Sequence, residues 1–131
     1  MAAHRPASKE RHHQQDAYPK RGEIYLTSLD PTVGSEIRKT RPAHVIQNNT
    51  SNRLTNTTIV APITSTVRFP LNPVHALLVA DSTTGLSVPS VALLNQIRVV
   101  DRQRLVTRMG SVDSNTLRQV EAAIKISLDV S

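Results

Sequence analysis

Three cations, Arg38, Lys39 and Arg41, fall within four positions of one stretch, Leu29-Asp30-Pro31-Thr32-Val33-Gly34-Ser35-Glu36-Ile37-Arg38-Lys39-Thr40-Arg41-Pro42. Asp-Pro and Val-Gly punctuate it as a long loop, and loops of this length in compact domains are usually functional or mobile. Charge alone describes a solvated basic loop. Position sharpens that reading: Arg41 precedes Pro42, which biases it toward extended backbone at a strand entrance, where its guanidinium can grip phosphate with two parallel hydrogen bonds. A second candidate is Ala61-Pro62-Ile63-Thr64-Ser65-Thr66. Pro62 cannot donate to a sheet ladder, so the strand is an edge or breaks there, leaving the hydroxyls of Thr64 and Ser65 at its end. Such hydroxyls more often cap or turn the chain than react. In Asn95-Gln96-Ile97-Arg98-Val99-Val100-Asp101, alternation sets Gln96 and Arg98 opposite Ile97 and Val99. An amide and a guanidinium on one face either read a base edge or form an internal hydrogen-bond network.

These groups must be carried by short strands. From Arg21 the chain runs through Glu23 to Leu29, Ala43 to Asn48, Thr57 to Ile63, Val74 to Val79 and Val91 to Val100. The runs are rich in β-branched residues and separated by Gly, Pro, Asn and Asp. With no helical pattern between them, they predict antiparallel pairing in a small curled sheet or barrel. Asp101 to Leu105 suits one helical turn, and Thr107 to Val112 a further short strand. The C-terminal part differs: Asp113 can cap a helix in which Leu117, Val120, Ile124 and Leu128 mark one apolar face. Residues 1 to about 20, polar and without periodicity, read as a flexible arm; the adjacent His12 and His13 in it are incidental.

Composition bounds the rest. The 131 residues carry 16 Lys+Arg against 10 Asp+Glu, a formal net charge of +6 and a pI near 10.5. That length suits one domain. The absence of cysteine excludes disulfide scaffolds and thiolate zinc sites. No apolar stretch approaches the roughly 18 residues of a membrane span, and the first residues lack the apolar segment of a signal peptide, so a cytoplasmic protein is expected. The basic balance suggests an anionic partner, most often nucleic acid. Aromatics are only 2% of the residues, so the core must be aliphatic and a base-stacking platform is hard to supply.

Taken in order, Arg21-Gly22-Glu23-Ile24-Tyr25, the stretch from Asp30 to Pro42, Pro62-Ile63-Thr64-Ser65 and Gln96-Ile97-Arg98, followed by Asp101 and Arg104, resemble the MazF/PemK-type toxins. The likeness covers residues 20 to about 128. It implies an SH3-like small β-barrel with a C-terminal helix packed on it, a homodimer, and a sequence-specific, metal-independent endoribonuclease that cleaves single-stranded RNA, needs no cofactor and is neutralised by a cognate antitoxin. By position, Arg41 matches the family's catalytic arginine and Thr64 its catalytic threonine. Ser35 and Glu36 match the mobile loop that folds over RNA, with Arg38 and Lys39 beside it as RNA-binding cations. Arg21, Asn48, Ser65, Ser90 and Gln96 fall where relatives contact phosphates or bases. Two departures stand out: His44 replaces an aliphatic residue, which touches packing, and Val88-Pro89 replaces a commonly charged pair, which bears on base preference.

Cleavage without metal has the ribose 2′-OH attack the adjacent phosphorus, leaving a 2′,3′-cyclic phosphate and a 5′-OH. It needs charge stabilisation and proton transfer. Arg41 can serve the first and Thr64 can hydrogen-bond a phosphate oxygen, but neither is a base. Glu36 is the expected base, if loop closure desolvates it and raises its pKa. A rival couple is His44 and His75, two imidazoles suited to ribose attack. Alternation puts His44 beside Ile46 and His75 beside Leu77, on faces that favour structural roles. A different class of function uses the same architecture, since CcdB-type proteins poison gyrase by binding alone; the Arg41 loop and the Thr64 strand end favour the nuclease. A catalytically dead regulatory binder is a third reading. The expected antitoxin carries an acidic, partly disordered segment that occupies the basic groove. The last helix and the segment from Gln96 to Val100 are the expected contributors to the dimer.

Overall fold

The structure, a computed structural model, describes residues 17–29 and 40–131. Ser35, Glu36, Arg38 and Lys39, with most of the expected arm, lie outside the described residues. Pro19 is already buried and Lys20 N–H donates to Glu23 Oε1 at 2.7 Å, so packing begins just ahead of Arg21. The elements are β1 (Glu23–Ser28), β2 (Thr40–Val45), α1 (Asn49–Leu54), β3 (Thr57–Thr64), β4 (His75–Leu78), β5 (Ser90–Leu93), β6 (Arg98–Asp101), β7 (Leu105–Ser111) and α2 (Ser114–Leu128). A 3₁₀ turn, Arg102–Arg104, joins β6 to β7, and Asp101 caps it by accepting from Gln103 N–H at 2.8 Å.

All strand pairs are antiparallel, in the order β4-β5-β3-β2-β1-β7, with β6 also on β3. The run expected from Val91 to Val100 is therefore two strands. It breaks at Leu94 to Gln96, where Gln96 N–H donates to Leu93 O at 3.1 Å. β6 pairs with the first half of β3, up to Val60, and β5 with its end, from Ile63. Ala61 and Pro62 lie at the changeover, so the proline with no N–H sits where that edge of β3 has no partner. No ladder joins β4 to β7. Instead the turn after β4 fills the seam: Ser111 N–H donates to Thr83 O at 2.9 Å. The sheet thus curls into the barrel-like form expected without a closed ring of hydrogen bonds.

The six-residue α1 has no counterpart in the sequence reading, because Asn48-Asn49-Thr50-Ser51-Asn52 presents no apolar stripe. A buried amide holds it: Asn52 accepts from Thr58 Oγ1 at 2.7 Å and from Gln47 Nε2 at 2.9 Å, and donates to Gln47 O at 2.9 Å. In α2, Asp113 caps by accepting from Thr116 N–H at 2.7 Å. Its buried face centres on Val120 and Ala123, while Leu128 is 52% exposed, so the expected stripe runs off the core at its last member.

The main core lies between the sheet and α2, from Ile24, Ala61, Ile63, Leu78, Leu94 and Val120 among others. A smaller one, Ala43, Val45, Val60 and Val100, covers the opposite face. The buried apolar residues include no aromatic, as the composition requires. β2 and β3 are thus covered on both sides at their centres.

His44 is fully buried on the main-core face, opposite Ile24 and Ala61. Its Nδ1 lies 3.4 Å from Glu23 O and its Nε2 has no partner. Burial, aided by the nearby Arg21 charge and opposed by the Glu23 carbonyl, holds its pKa down to about 4. In the unfolded chain it titrates near 6.5. Between those values the unfolded chain binds a proton that the fold refuses, so stability falls as pH drops from 6.5 toward 4, by about 3 kcal/mol from this residue. Denaturant titrations at pH 7 and pH 4 should show His44→Leu losing less stability than the parent by about that amount. Equal losses would mean that the fold accepts the proton.

Candidate active site

The β2–β3 register Ala43↔Pro62, His44↔Ala61, Val45↔Val60 ends just short of Arg41, near the start of β2, and Thr64, at the end of β3; extended two residues outward, it would set the two opposite each other. Directly opposed residues share a face of the sheet. Arg41 is exposed, and among the described residues no carboxylate or carbonyl holds its guanidinium. Thr64 is half-buried, and its Oγ1 accepts from Thr66 N–H at 3.2 Å. With that lone pair engaged, the hydroxyl proton is left to donate outward.

The two residues line a cleft of about 250 Å³, together with Pro42, Ile63, Ser65, Met109 and the segment Leu86, Ser87, Val88 and Ser90. Of the residues singled out by resemblance, Arg41, Thr64, Ser65 and Ser90 converge here. Ser90 is buried, with Oγ donating to Val88 O at 2.9 Å, so it holds the wall rather than presenting a hydroxyl to the cleft. Val88, half of the Val88-Pro89 departure, is 48% exposed on that wall. Leu86, Ser87 and Met109 were not singled out. The turn before the wall is tightly built: Asp81 accepts from the N–H groups of Thr83 and Thr84, both at 2.9 Å, and buried Thr84 donates to Val79 O at 2.7 Å. Gly85 follows with φ +74°, and a Cβ there would lie 2.2 Å from Met109 O. The signal in the sequence was the Asp81-Ser82-Thr83-Thr84-Gly85 punctuation, which marks a turn without saying what it presses against.

Sealed from solvent, His44 cannot reach a substrate, and His75 is half-buried at the start of β4. The imidazole couple is therefore not assembled. Among the described residues no three His, Asp or Glu side chains converge as metal ligands.

Comparison with known proteins decides the family. Residues 20–128 match the PemK-like, MazF-like toxins of type II toxin–antitoxin systems. The chain belongs to this family. Relatives of this MazF-like toxin include endoribonuclease EndoA of Bacillus subtilis, 41% identical over 83% of this chain and 93% of its own length. Endoribonuclease MazF of Staphylococcus saprophyticus is 38% identical over 83% of this chain and 90% of its own. A MazE–MazF structure from Deinococcus radiodurans superposes with a TM-score of 0.73 at 25% identity, covering 88% of this chain and 100% of that one. A mycobacterial endoribonuclease in complex with its cognate antitoxin, at 19% identity and a TM-score of 0.71, shares the fold over 86% of this chain and 97% of that one.

Among the described residues, the other positions pointed to by family resemblance lie outside the cleft lining of this MazF-like toxin. Arg21 is committed to structure: Nε donates to Ile46 O at 3.0 Å and Nη1 to Glu121 of α2 at 2.8 Å. Asn48 caps α1, its Oδ1 accepting from Ser51 N–H at 2.8 Å. Gln96 is exposed in the β5–β6 turn, and Arg98 is half-buried on β6 beside Val60. Arg104 Nη1 donates to Ser28 O at 3.1 Å, tying the 3₁₀ turn to β1. Among the described residues no helix is long and apolar enough to cross a membrane.

Proposed function

We propose that this MazF-like toxin is a sequence-specific endoribonuclease that cleaves single-stranded RNA without a metal ion, leaving 2′,3′-cyclic phosphate and 5′-OH ends. The observation that carries this is that Arg41 and Thr64 line one cleft, with a guanidinium that no described group occupies. In the reaction the 2′-oxygen bonds to phosphorus, the 5′-oxygen leaves with a proton, and negative charge grows on the phosphate oxygens. Arg41 faces that charge with a permanent cation and a planar pair of donors. Thr64 donates to an oxygen of the same group. Glu36 is the base that takes the 2′-OH proton. Ser35, Arg38 and Lys39 close over the strand, Ser65 lines the entry, Arg21, Asn48 and Ser90 serve RNA binding largely by holding the backbone that carries the groove, and exposed Gln96 contacts the RNA itself.

The Bacillus subtilis and Staphylococcus saprophyticus relatives are both endoribonucleases, which favours cleavage over the binding-only gyrase poison. The complexes of relatives with their antitoxins support a cognate antitoxin here, whose acidic, partly disordered segment meets the basic groove of a cytoplasmic homodimer. Mixed-sequence RNA incubated with the protein in EDTA should be cut at a short recurring sequence, and end analysis should find cyclic phosphate and 5′-OH. Intact RNA with inhibited gyrase would reverse the assignment. Glu36→Gln should slow single-turnover cleavage; an unchanged rate removes Glu36 as the base.

A further inference from the structure

The chain has three aromatic rings, and only one is exposed. Tyr18 and Tyr25 are half-buried, the first under Lys20 and the second donating to Glu23 Oε1 at 3.0 Å. Phe69, the only phenylalanine, is 73% exposed. It lies in the connection from β3 to β4, five residues beyond Thr64, so the chain confines it to within about 18 Å of that residue.

That connection is tied down at both ends. Thr66 N–H donates to Thr64 Oγ1 at 3.2 Å, and Asn72 accepts from Val74 N–H at 3.1 Å and from His75 N–H at 2.9 Å. Val67 and Leu71 are half-buried on either side, and Pro70 and Pro73 restrict the backbone between. The loop thus presents the ring and the neighbouring Arg68, both exposed, between half-buried aliphatics. An exposed aromatic ring and an exposed guanidinium on successive residues match a single-stranded polynucleotide, whose bases stack on the ring while its phosphates meet the cation. A protein partner of the expected acidic kind would use Arg68 and gain little from a ring so isolated.

We propose that Phe69 stacks on one nucleobase of the RNA, a few nucleotides from the cleaved bond, with Arg68 on the adjoining phosphate. The proposal rests on the endoribonuclease reading and adds a substrate-anchoring residue to it. The ring anchors the strand without touching the reacting atoms, so its loss weakens substrate binding and spares the chemical step.

The test uses a short oligoribonucleotide bearing the mapped cut site, and a series of the same oligonucleotide with one abasic position each. Phe69→Ala should raise KM about ten- to hundredfold with kcat within about twofold, and Phe69→Trp should restore KM. One abasic position should weaken the parent but not Phe69→Ala, since the two changes remove the same contact. Equal KM values for the parent and Phe69→Ala, or the same abasic sensitivity in both, would overturn the stacking assignment. So would unchanged cleavage accompanied by weaker self-association in gel filtration, which would give the ring to a protein contact. Failure of the parent itself to cut RNA would instead count against the endoribonuclease reading.

Discussion

Arg41→Ala should lower single-turnover cleavage by a factor on the order of 100 to 1,000 and leave the folding equilibrium nearly unchanged. The first half follows from the proposed role of the guanidinium: in that reaction it faces the phosphate where charge develops, and loss of one such donor in a preorganised site typically costs that much. The second follows from exposure and from the absence of a partner among the described residues, so its removal strands no buried group. Arg41→Lys divides the effect into parts. It keeps the charge and loses the bidentate fork, so a rate between those of the parent and Arg41→Ala shows that geometry as well as charge contributes. A quench-flow or gel assay at saturating enzyme measures the step, and denaturant melts of the same samples check the fold. If Arg41→Ala cleaves at the parental rate, the cleft assigned here is not the site of chemistry.

Gly85→Ala should have the largest effect on stability, a loss of about 3 kcal/mol or more, seen as a fall in Tm of about 10 °C or more. Two separate costs combine. The residue has φ +74°, which disfavours any side chain, and the added Cβ would lie 2.2 Å from the carbonyl oxygen of Met109. Backbone lies on the far side of the clash, because Gly110 fits as closely against Thr83 O, where a Cβ would stand 2.1 Å away. Gly22 separates the two costs, having φ +98° but no atom nearer to its virtual Cβ than Val112 Cγ2 at 4.0 Å. Gly22→Ala should therefore cost about 1–2 kcal/mol. If the two variants melt alike, the crowding at Gly85 relaxes freely. Because Leu86 to Val88 form the cleft wall directly after Gly85, any Gly85→Ala protein that folds should also bind RNA more weakly.

The elements of the catalytic pair were visible in the sequence because prolines mark them. Pro42 fixes Arg41 at a strand entrance, and Pro62 predicts the break in pairing where β6 gives way to β5. The register that brings Arg41 and Thr64 to one cleft was not visible, since α1 lies between the two strands and forms through a buried asparagine, a signal that hydrophobic periodicity does not carry. Asn48 and Arg21 illustrate a different limit. Their types suit RNA contact, yet in the fold one caps a helix and the other clamps α2, and only tertiary structure distinguishes these uses. The wall from Leu86 to Val88 was out of reach for a third reason. Its place depends on two glycines meeting backbone across the seam of the barrel, and local sequence does not record what a turn packs against.

The burial of β2 and β3 on both faces has a consequence for control. Amides at the centres of these strands can exchange with solvent only when the chain opens as a whole, so the strands that carry Arg41 and Thr64 belong to its most slowly exchanging part. Such strands have no cheap distorted form to rest in. While the chain is folded, the centres of both strands stay in place, and an inhibitor of the proposed reaction gains nothing by working on them. Under the proposed function, restraint then comes from occupancy of the cleft or from the segments that border it, and is expected to end when the occupant departs, with no refolding step to delay the return of activity.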